Sequence, residues 1–348
     1  MPDDARVTAL RTWLDTVTPR AGYVLSPASV DASFRRYFRL DWPDTGDSLI
    51  AMDAPPKHED CRPFLRIARQ LRRAGLRAPA VLASDLPQGF MLLSDLGNTT
   101  YLSALDDDTA DALYTSALEA LVRVQKLDTE GLPPFDASLL RSEMALFEDW
   151  LLRRHLDLTP PEPIWRKVQD MLVESALSQP QVYVHRDYHS RNLMVCDADS
   201  AEPFAPPLSA HSATIHSPGL LDFQDAVKGP LTYDLVSLLK DCYVSWPADR
   251  VETWLRHYAE RARAAGLAVP DDLARLFARM GAQRHLKAAG IFARLYHRDG
   301  KAGYLGDLPR TLGYITALAD VDDDLAPFAT WVRDAVHPAL AKAPGGSL

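Results

Sequence analysis

His185-Arg186-Asp187-Tyr188-His189-Ser190-Arg191-Asn192 is the stretch that decides the fold of this chain, and the pair Asp222-Phe223 follows it downstream. Phosphoryl transfer needs a group that accepts the proton of the attacking hydroxyl, and oxygen ligands for Mg²⁺ beneath the β- and γ-phosphates. In this order and spacing, Asp187 suits the first task, whereas the Asn192 amide and the Asp222 carboxylate suit the second. The motifs therefore predict an ATP-dependent kinase, with Asp187 as catalytic base and Asn192 and Asp222 as metal ligands.

A plain structural explanation competes with this prediction. The same residues could form a polar surface turn, in which Asp187 caps a helix and Asp222 is an ordinary carboxylate at the end of a strand. Residues 182 to 184 and 193 to 195 are both strand-like and flank the first motif. Two motifs in the expected order with such flanks favour the kinase.

The two motifs resemble those of the aminoglycoside phosphotransferase and choline kinase superfamily, whose members share the protein-kinase fold and phosphorylate small molecules. The resemblance implies an α+β, two-lobed, protein-kinase-like fold. A small antiparallel β lobe with one helix would precede a larger, mainly helical lobe.

Four further segments are similar to a narrower bacterial family, the anomeric kinases of N-acetylmuramate and N-acetylglucosamine that act in cell-wall sugar recycling. These segments are residues 33 to 40, 52 to 56, 93 to 97 and 287 to 295. The similarity extends over nearly the whole chain. It implies ATP and Mg²⁺ as cofactors, a free amino sugar as the small-molecule substrate and the sugar 1-phosphate as the product.

Composition limits the partners and the compartment. The 348 residues carry a formal net charge of -9, and an acidic protein gains nothing from counterion release on nucleic acid. The three cysteines, Cys61, Cys196 and Cys242, have neither metal-site nor disulfide spacing, so we expect reduced, packed thiols. No apolar run approaches membrane-spanning length, and no segment indicates a protein partner. We expect a cytoplasmic protein without nucleic-acid or membrane partners.

The first part of the chain reads as a β-rich lobe. Helical periodicity over residues 6 to 17 predicts a first short helix, and apolar runs between 23 and 53 predict antiparallel strands. A helix rich in Arg and Leu is expected over 59 to 74, followed by two more strands. Residues 1 to 97 are thus predicted to form the nucleotide-binding lobe, with five strands and one helix.

Residues 98 to 348 are predicted to form the catalytic and substrate-binding lobe, because helical patterns dominate there. The clearest helices are expected over 107 to 126, 138 to 155 and 271 to 296. Residues 203 to 218 contain four prolines and no charged residue, a composition that cannot build a regular element. We interpret this segment as a flexible insertion in a hairpin rather than as a functional lid.

The nucleotide-binding residues are carried over from the family resemblance. It assigns Ser33, Arg35 and Arg36 to the strand-turn-strand that covers the triphosphate, although arginines on an exposed strand edge would be a plain alternative. It assigns the segment Ser94-Asp95-Leu96 to the hinge at the nucleotide base.

One departure from kinases concerns the lysine of the third strand. Where protein kinases have Val-Ala-Ile-Lys, this chain reads Leu49-Ile50-Ala51-Met52-Asp53, so another cation must meet the α- and β-phosphates. Arg35, Arg36 and Lys57 are the candidates, in that order. Glu59 precedes the following helix, but its expected ion-pairing role lapses without the lysine.

Substrate contacts are predicted for His189, Arg191 and Asp225, which lie in or just after the two motifs. A hydrogen bond that stabilises the loop is the alternative for His189. Asp234 resembles the superfamily aspartate that anchors the catalytic loop. In the late helix, five polar residues are interpreted mostly as ordinary amphipathic positions, with a few reaching the sugar; they are Arg284, His285, Lys287, Arg294 and Tyr296.

Two other readings of the function stay open. The first keeps the chemistry and changes the substrate to an aminoglycoside, choline, homoserine or methylthioribose. The second is a nucleotide-binding pseudokinase that regulates a partner, for which the missing lysine is the supporting feature. A protein kinase fits worst, because no Ala-Pro-Glu motif follows Asp222.

Overall fold

The computed structural model describes residues 5–30, 34–196, 204 and 218–344. The chain divides into two compact units, one formed by Met1–Ala120 with Arg191–Asp225 and the other by Leu121–Ser190 with Ala226–Leu348. The two units are defined by how densely their residues contact one another. They do not test the lobe boundary predicted after residue 97, which stays a prediction. No helix among the described residues is long and apolar enough to span a membrane.

The first unit contains the predicted five-stranded antiparallel sheet. Its strands are β1 (Val24–Val30), β2 (Arg36–Trp42), β3 (Asp47–Asp53), β4 (Val81–Asp85) and β5 (Phe90–Ser94), in the order β1-β2-β3-β5-β4. Tyr37 lies opposite Met52, and Leu40 lies opposite Leu49, so the turn around Gly46 joins two strands in simple hairpin register. β3 is bonded on both sides, to β2 and to β5.

The helices of the first unit are α1 (Ala5–Val17), α2 (Arg62–Arg73), α3 (Tyr101–Ala104) and the start of α4 (Ala110–Gln125). Leu10 and Leu14 of α1 share a buried cluster with Leu49 and Ala51, so α1 covers one face of the sheet. Side chains alternate along a strand, which puts Ile50 and Met52 on the opposite face of β3.

The lobe prediction counted one helix, but both α1 and α2 lie within residues 1 to 97. α2 also begins later than predicted, at Arg62 rather than at residue 59, because Pro63 fits only the first turn of a helix. It ends just before Gly75, whose φ of 74° is a backbone conformation that glycine adopts readily.

Two short strands complete the first unit. β7 (Leu193–Met194) pairs antiparallel with β8 (Gly219–Leu220), and a Cβ added at Gly219 would lie 2.9 Å from a methyl carbon of Leu96. Glycine therefore allows β8 to pack closely against Leu96 without a shift of that side chain. Of the insertion predicted over 203 to 218, all but residues 204 and 218 lie outside the described residues.

The second unit is mainly helical. Its two strands, β6 (Gln181–Val184) and β9 (Val227–Pro230), pair antiparallel. Its α-helices, after the end of α4, are α5 (Ala137–Leu146), α6 (Glu162–Leu177), α7 (Tyr233–Leu239), α8 (Ala248–Ala264), α9 (Leu273–Asp299), α10 (Leu308–Thr316), α11 (Ala326–Trp331) and α12 (His337–Leu340). Short 3₁₀ segments (Ala302–Asp307, Ala317–Asp320) and π-helical segments (Phe147–His155, Val332–Val336) continue these helices.

The three long helices predicted from periodicity are confirmed, with one change of geometry. The helix expected over 138 to 155 is α-helical only to Leu146 and then widens into a π-helical segment. α9 crosses at this junction, where a Cβ added at Gly290 would lie 2.3 Å from the carbonyl carbon of Leu146. The cysteines Cys61, Cys196 and Cys242 are free and buried, as predicted.

Candidate active site

A cavity of about 400 Å³ opens in the first unit. Its wall joins two parts of the sequence that carry predicted site residues, the hinge segment and the stretch around β7 and β8. The predicted residues on this wall are Ser94, Asp95, Leu96, Arg191, Asn192 and Asp222. Ile50 of β3 and Leu93 of β5 add apolar surface, which suits the faces of a planar base.

The two predicted metal ligands lie side by side because β7 and β8 are paired. The N–H of Leu221 donates to the carbonyl oxygen of Asn192 over 2.9 Å, which holds Asp222 beside Asn192. Their side chains meet at 3.4 Å between Asn192 Nδ2 and Asp222 Oδ2. Asp222 has a φ of 60°, a strained conformation for a residue other than glycine, and such strain concentrates at functional sites.

Carboxylate and amide oxygens are the ligands that Mg²⁺ prefers, and a site with few protein ligands is usual when phosphates complete the coordination. The Asp222 side chain is 38% exposed and therefore accessible to an entering ion. The residues present thus fit the metal that the motifs imply.

In the segment predicted as the hinge, the side chains of Ser94 and Asp95 form hydrogen bonds with other residues of the protein. Asp95 accepts two bonds from the guanidinium of Arg39, at 2.6 and 3.0 Å, and one from Ser48 Oγ at 2.8 Å. Ser94 Oγ accepts the N–H of Ala80 over 2.8 Å. These bonds hold the segment in shape, so contacts of Ser94 and Asp95 with a base would be made by the backbone.

The two arginines at the start of β2, Arg35 just before it and Arg36 as its first residue, have different neighbours. Arg35 Nε donates to Glu59 Oε2 over 3.0 Å, and Arg35 Nη1 lies 3.7 Å from Asp222 Oδ1. Arg36 Nε donates to Asp53 Oδ2 over 3.0 Å. The expectation that Glu59 would have no ion-pairing role is wrong, because Arg35 pairs with it. The third predicted residue here, Ser33, lies outside the described residues.

The loop that carries Asp187 belongs to the second unit. The backbone N–H groups of His185 and Arg186 both donate to the Asp234 carboxylate, over 2.6 and 2.9 Å, which is the anchoring role that the resemblance implied. Arg186 has a φ of 79°, and holding a non-glycine residue there costs roughly 1–3 kcal/mol. The two bonds to Asp234 help to offset this cost.

A buried group of charges supports the same loop, and sequence reasoning missed it. Lys287 Nζ donates to Glu143 Oε1 over 3.0 Å and to the Tyr233 hydroxyl over 2.9 Å. Arg186 Nη2 donates to the same Glu143 oxygen over 2.5 Å. Gln283 Nε2 donates to the other oxygen over 3.1 Å. Lys287 is one of the late-helix residues for which both an amphipathic position and a sugar contact were considered; its side chain is only 12% exposed, so it is not an ordinary amphipathic position.

These charges determine the state of the predicted base. Burial raises the pKa of Asp187, but the positive charges of Lys287, His189 and Arg284 outweigh burial and hold the pKa below its usual range. The carboxylate is consequently ionised at neutral pH, which a base that receives a hydroxyl proton requires.

The predicted substrate residues lie in different parts of the structure. Arg191 is exposed on the cavity wall of the first unit, and Asp225 is exposed and accepts a bond from Gln224 Nε2 over 3.2 Å. His189 is 8% exposed and packs edge-on against Tyr243 at 5.4 Å between ring centres. Its neighbour Ser190 bonds to the Asp241 carboxylate, so this part of the loop is held firmly.

Comparison with known proteins shows the family and the fold of the chain. The model of the phosphotransferase enzyme family matches residues 24–204 and 209–276. Among solved structures, a choline/ethanolamine kinase family protein from Mesorhizobium loti covers 93% of the chain and 99% of its own at a TM-score of 0.61 and 16% identity. An aminoglycoside 2'-phosphotransferase-IIIa covers 94% and 99% at a TM-score of 0.58 and 14% identity. At such identities these two structures show the fold alone.

The fold and the paired motifs define a phosphotransferase with the two-lobed α+β architecture of protein kinases, and the chain belongs to the phosphotransferase enzyme family. Within it, the chain is 49% identical over 337 residues to the N-acetylmuramate/N-acetylglucosamine kinase of Pseudomonas aeruginosa, covering 92% of the chain and 94% of that protein. The enzyme of the same name from Neisseria meningitidis is 41% identical over 333 residues.

Proposed function

We propose that this protein is a kinase that uses ATP and Mg²⁺ to phosphorylate the anomeric hydroxyl of N-acetylmuramate and N-acetylglucosamine. The observation that carries the substrate assignment is the 49% identity, over nearly the full length of both chains, to a kinase named for these two sugars. The proposal places the enzyme in the cytoplasm, where ATP is available, and in the recycling of cell-wall sugars.

Asp187 is the base in this proposal. It accepts the proton of the attacking hydroxyl, and the bonds from His185 and Arg186 to Asp234 keep its loop in place. A lowered pKa makes Asp187 a weak base, which suits an acidic hydroxyl. The hemiacetal hydroxyl at carbon 1 is more acidic than an ordinary alcohol, so no additional activating group is required.

Asn192 and Asp222 hold the magnesium ion, which neutralises charge on the phosphates when it is bound. The base of ATP occupies the cavity beside residues 94 to 96, with Ile50 and Leu93 against its faces. Arg191 lies on the same wall, so it faces the nucleotide as well as being a predicted sugar contact. His189 and Asp225 stay as the other predicted contacts to substrate hydroxyls.

An ADP-release assay over a panel of sugars and aminoglycosides tests the proposal. N-acetylmuramate and N-acetylglucosamine should be phosphorylated, and their methyl glycosides, which lack only the anomeric hydroxyl, should not react. A methyl glycoside that reacts at a comparable rate would move the reaction to another carbon. Faster turnover of an aminoglycoside, choline, homoserine or methylthioribose would show that the proposed sugars are not the substrates.

A further inference from the structure

β3 lacks the lysine that binds the phosphates of ATP in protein kinases. Ile50 lines the cavity, and Met52, two residues further along β3, lies on the same face of the sheet. In protein kinases the second of two such positions carries a lysine that pairs with a glutamate of the following helix and binds the α- and β-phosphates. Met52 is 1% exposed and has no donor, so it cannot replace the lysine.

Arg35 makes the contacts that such a lysine would make. Its Nε bonds to Glu59 just before α2, and its Nη1 lies 3.7 Å from the carboxylate of Asp222, the proposed metal ligand. The side chains of Arg35 and Glu59 are 12% and 13% exposed, so the pair is largely shielded from water. A cation beside a metal ligand is within reach of phosphate oxygens that the same metal binds.

Arg36 has a different task. Its guanidinium bonds to the fully buried carboxylate of Asp53 at the end of β3, which also accepts Arg6 Nε of α1 over 2.9 Å. This arrangement ties α1 to the sheet. Moving Arg36 to a phosphate would leave the buried Asp53 with one cation fewer.

We propose that Arg35, held by Glu59, is the cation that binds the α- and β-phosphates of ATP, and that Arg36 mainly stabilises the sheet. The inference rests on the proposed use of ATP. Glu59 then pairs with the phosphate-binding cation, as the corresponding glutamate of protein kinases pairs with the lysine. It also removes the feature that favoured a pseudokinase, since the missing lysine is replaced by a paired arginine.

The test measures the dissociation constant of Mg·ATP by calorimetry, without sugar, for Arg35→Ala, Arg35→Lys and Arg36→Ala. Hydrogen bonds to charged groups contribute about 1.5–3 kcal/mol, so Arg35→Ala should weaken binding roughly 10- to 150-fold. Arg35→Lys should recover part of this loss, because it keeps the charge but not the planar fork. Arg36→Ala should lower the melting temperature and weaken binding less than Arg35→Ala.

Arg62→Ala is the matched control, because Arg62 is an exposed arginine at the start of α2 that pairs only locally with Asp60 among the described residues. It should bind Mg·ATP like the wild type. Unchanged binding in a folded Arg35→Ala, or a larger loss in Arg36→Ala, would overturn the inference. These results are independent of the sugar assay, so a wrong substrate and a wrong cation can be told apart.

Discussion

Replacing Lys287 by methionine is the sharpest test of the buried charges around Asp187. The substitution keeps the length and apolar stem of the side chain and removes the ammonium group. Glu143 then loses one of its donors but retains Arg186 and Gln283. The Tyr233 hydroxyl loses the donor at 2.9 Å.

Two effects follow, one on stability and one on catalysis. At 3.0 Å and an effective dielectric constant near 20, the attraction between Lys287 and Glu143 is about 5 kcal/mol. Breaking a buried pair typically costs about 3–5 kcal/mol, and because Arg186 still neutralises Glu143 we expect about 3 kcal/mol. Lys287 is also the largest of the favourable charges acting on Asp187, so its loss leaves burial less opposed and raises the pKa of Asp187.

The pH dependence of kcat/KM separates catalysis from stability. Protonation of Asp187 sets the acidic limb of the profile, so this limb should move to higher pH in Lys287→Met, whereas the affinity for Mg·ATP stays near that of the wild type. Lys287→Arg should keep the wild-type limb. Lys240→Met is the control: Lys240 is a second buried lysine of the same unit, and it is not among the main charges that act on Asp187.

Lys240→Met should not move the limb, because burial alone lowers the pKa of Lys240 and the substitution removes only a charge that the folded state disfavours. If the acidic limb of the kcat/KM profile does not move in a folded Lys287→Met, Lys287 stabilises the fold without lowering the pKa of Asp187, and the electrostatic explanation would be wrong.

Four further variants test other parts of the structure. Asp187→Asn should lower kcat by about 10²–10⁴-fold with unchanged nucleotide affinity; near wild-type turnover would contradict its role as base. Asp222→Ala should make ATP binding insensitive to Mg²⁺ in calorimetry, and retained magnesium dependence would contradict the ligand assignment. Gly290→Ala should destabilise by about 3 kcal/mol or more in denaturant titrations, because its Cβ would overlap the backbone of Leu146; wild-type stability would contradict this packing. Burial lowers the pKa of His285 from 6.5 to about 3, so its contribution to stability is lost as pH falls through that window; from pH 7 to 5 the wild type should lose about 2 kcal/mol more than His285→Gln.

Short sequence motifs indicated the candidate site residues, but not the buried charges that support them. Motif spacing predicted Asp187, Asn192 and Asp222 as site residues, and the pairing of β7 with β8 brings two of them, Asn192 and Asp222, together. The buried charge group could not be found in this way, since Glu143 and Lys287 meet only through the packing of α5 on α9. The sequence did contain one indication that Lys287 is buried. Gln283 and Lys287 are one helical turn apart, on the same side of α9 as the apolar Met280.

Amphipathic reasoning failed at α9 for a physical reason. It assigns polar residues to the solvent-facing side of a helix, but α9 is packed on several sides and buries Gln283, Arg284 and His285. Several of their polar atoms bond to other elements; His285 Nε2, for example, lies 2.8 Å from the carbonyl oxygen of Lys240. Which polar residues of such a helix are buried depends on partners far away in the sequence, so the helix itself was predictable and the role of its polar residues was not.

The pairing of Arg35 with Glu59 shows where a residue-by-residue comparison with kinases misleads. In protein kinases this glutamate pairs with a lysine on β3, so the absence of that lysine led to the expectation that Glu59 has no ion pair. What matters electrostatically is that a cation lies beside the glutamate and the proposed metal ligand, whichever strand carries it. The long side chain of Arg35, just before β2, reaches both Glu59 and Asp222. β3 is bonded on both sides, which would hold a lysine on that strand in place. Arg35 lies just outside β2, and its bond to Glu59 helps to fix the guanidinium. If Arg35 is the cation that binds the phosphates, as proposed, we expect Glu59 to matter more for orienting it than in an enzyme with the lysine on its strand.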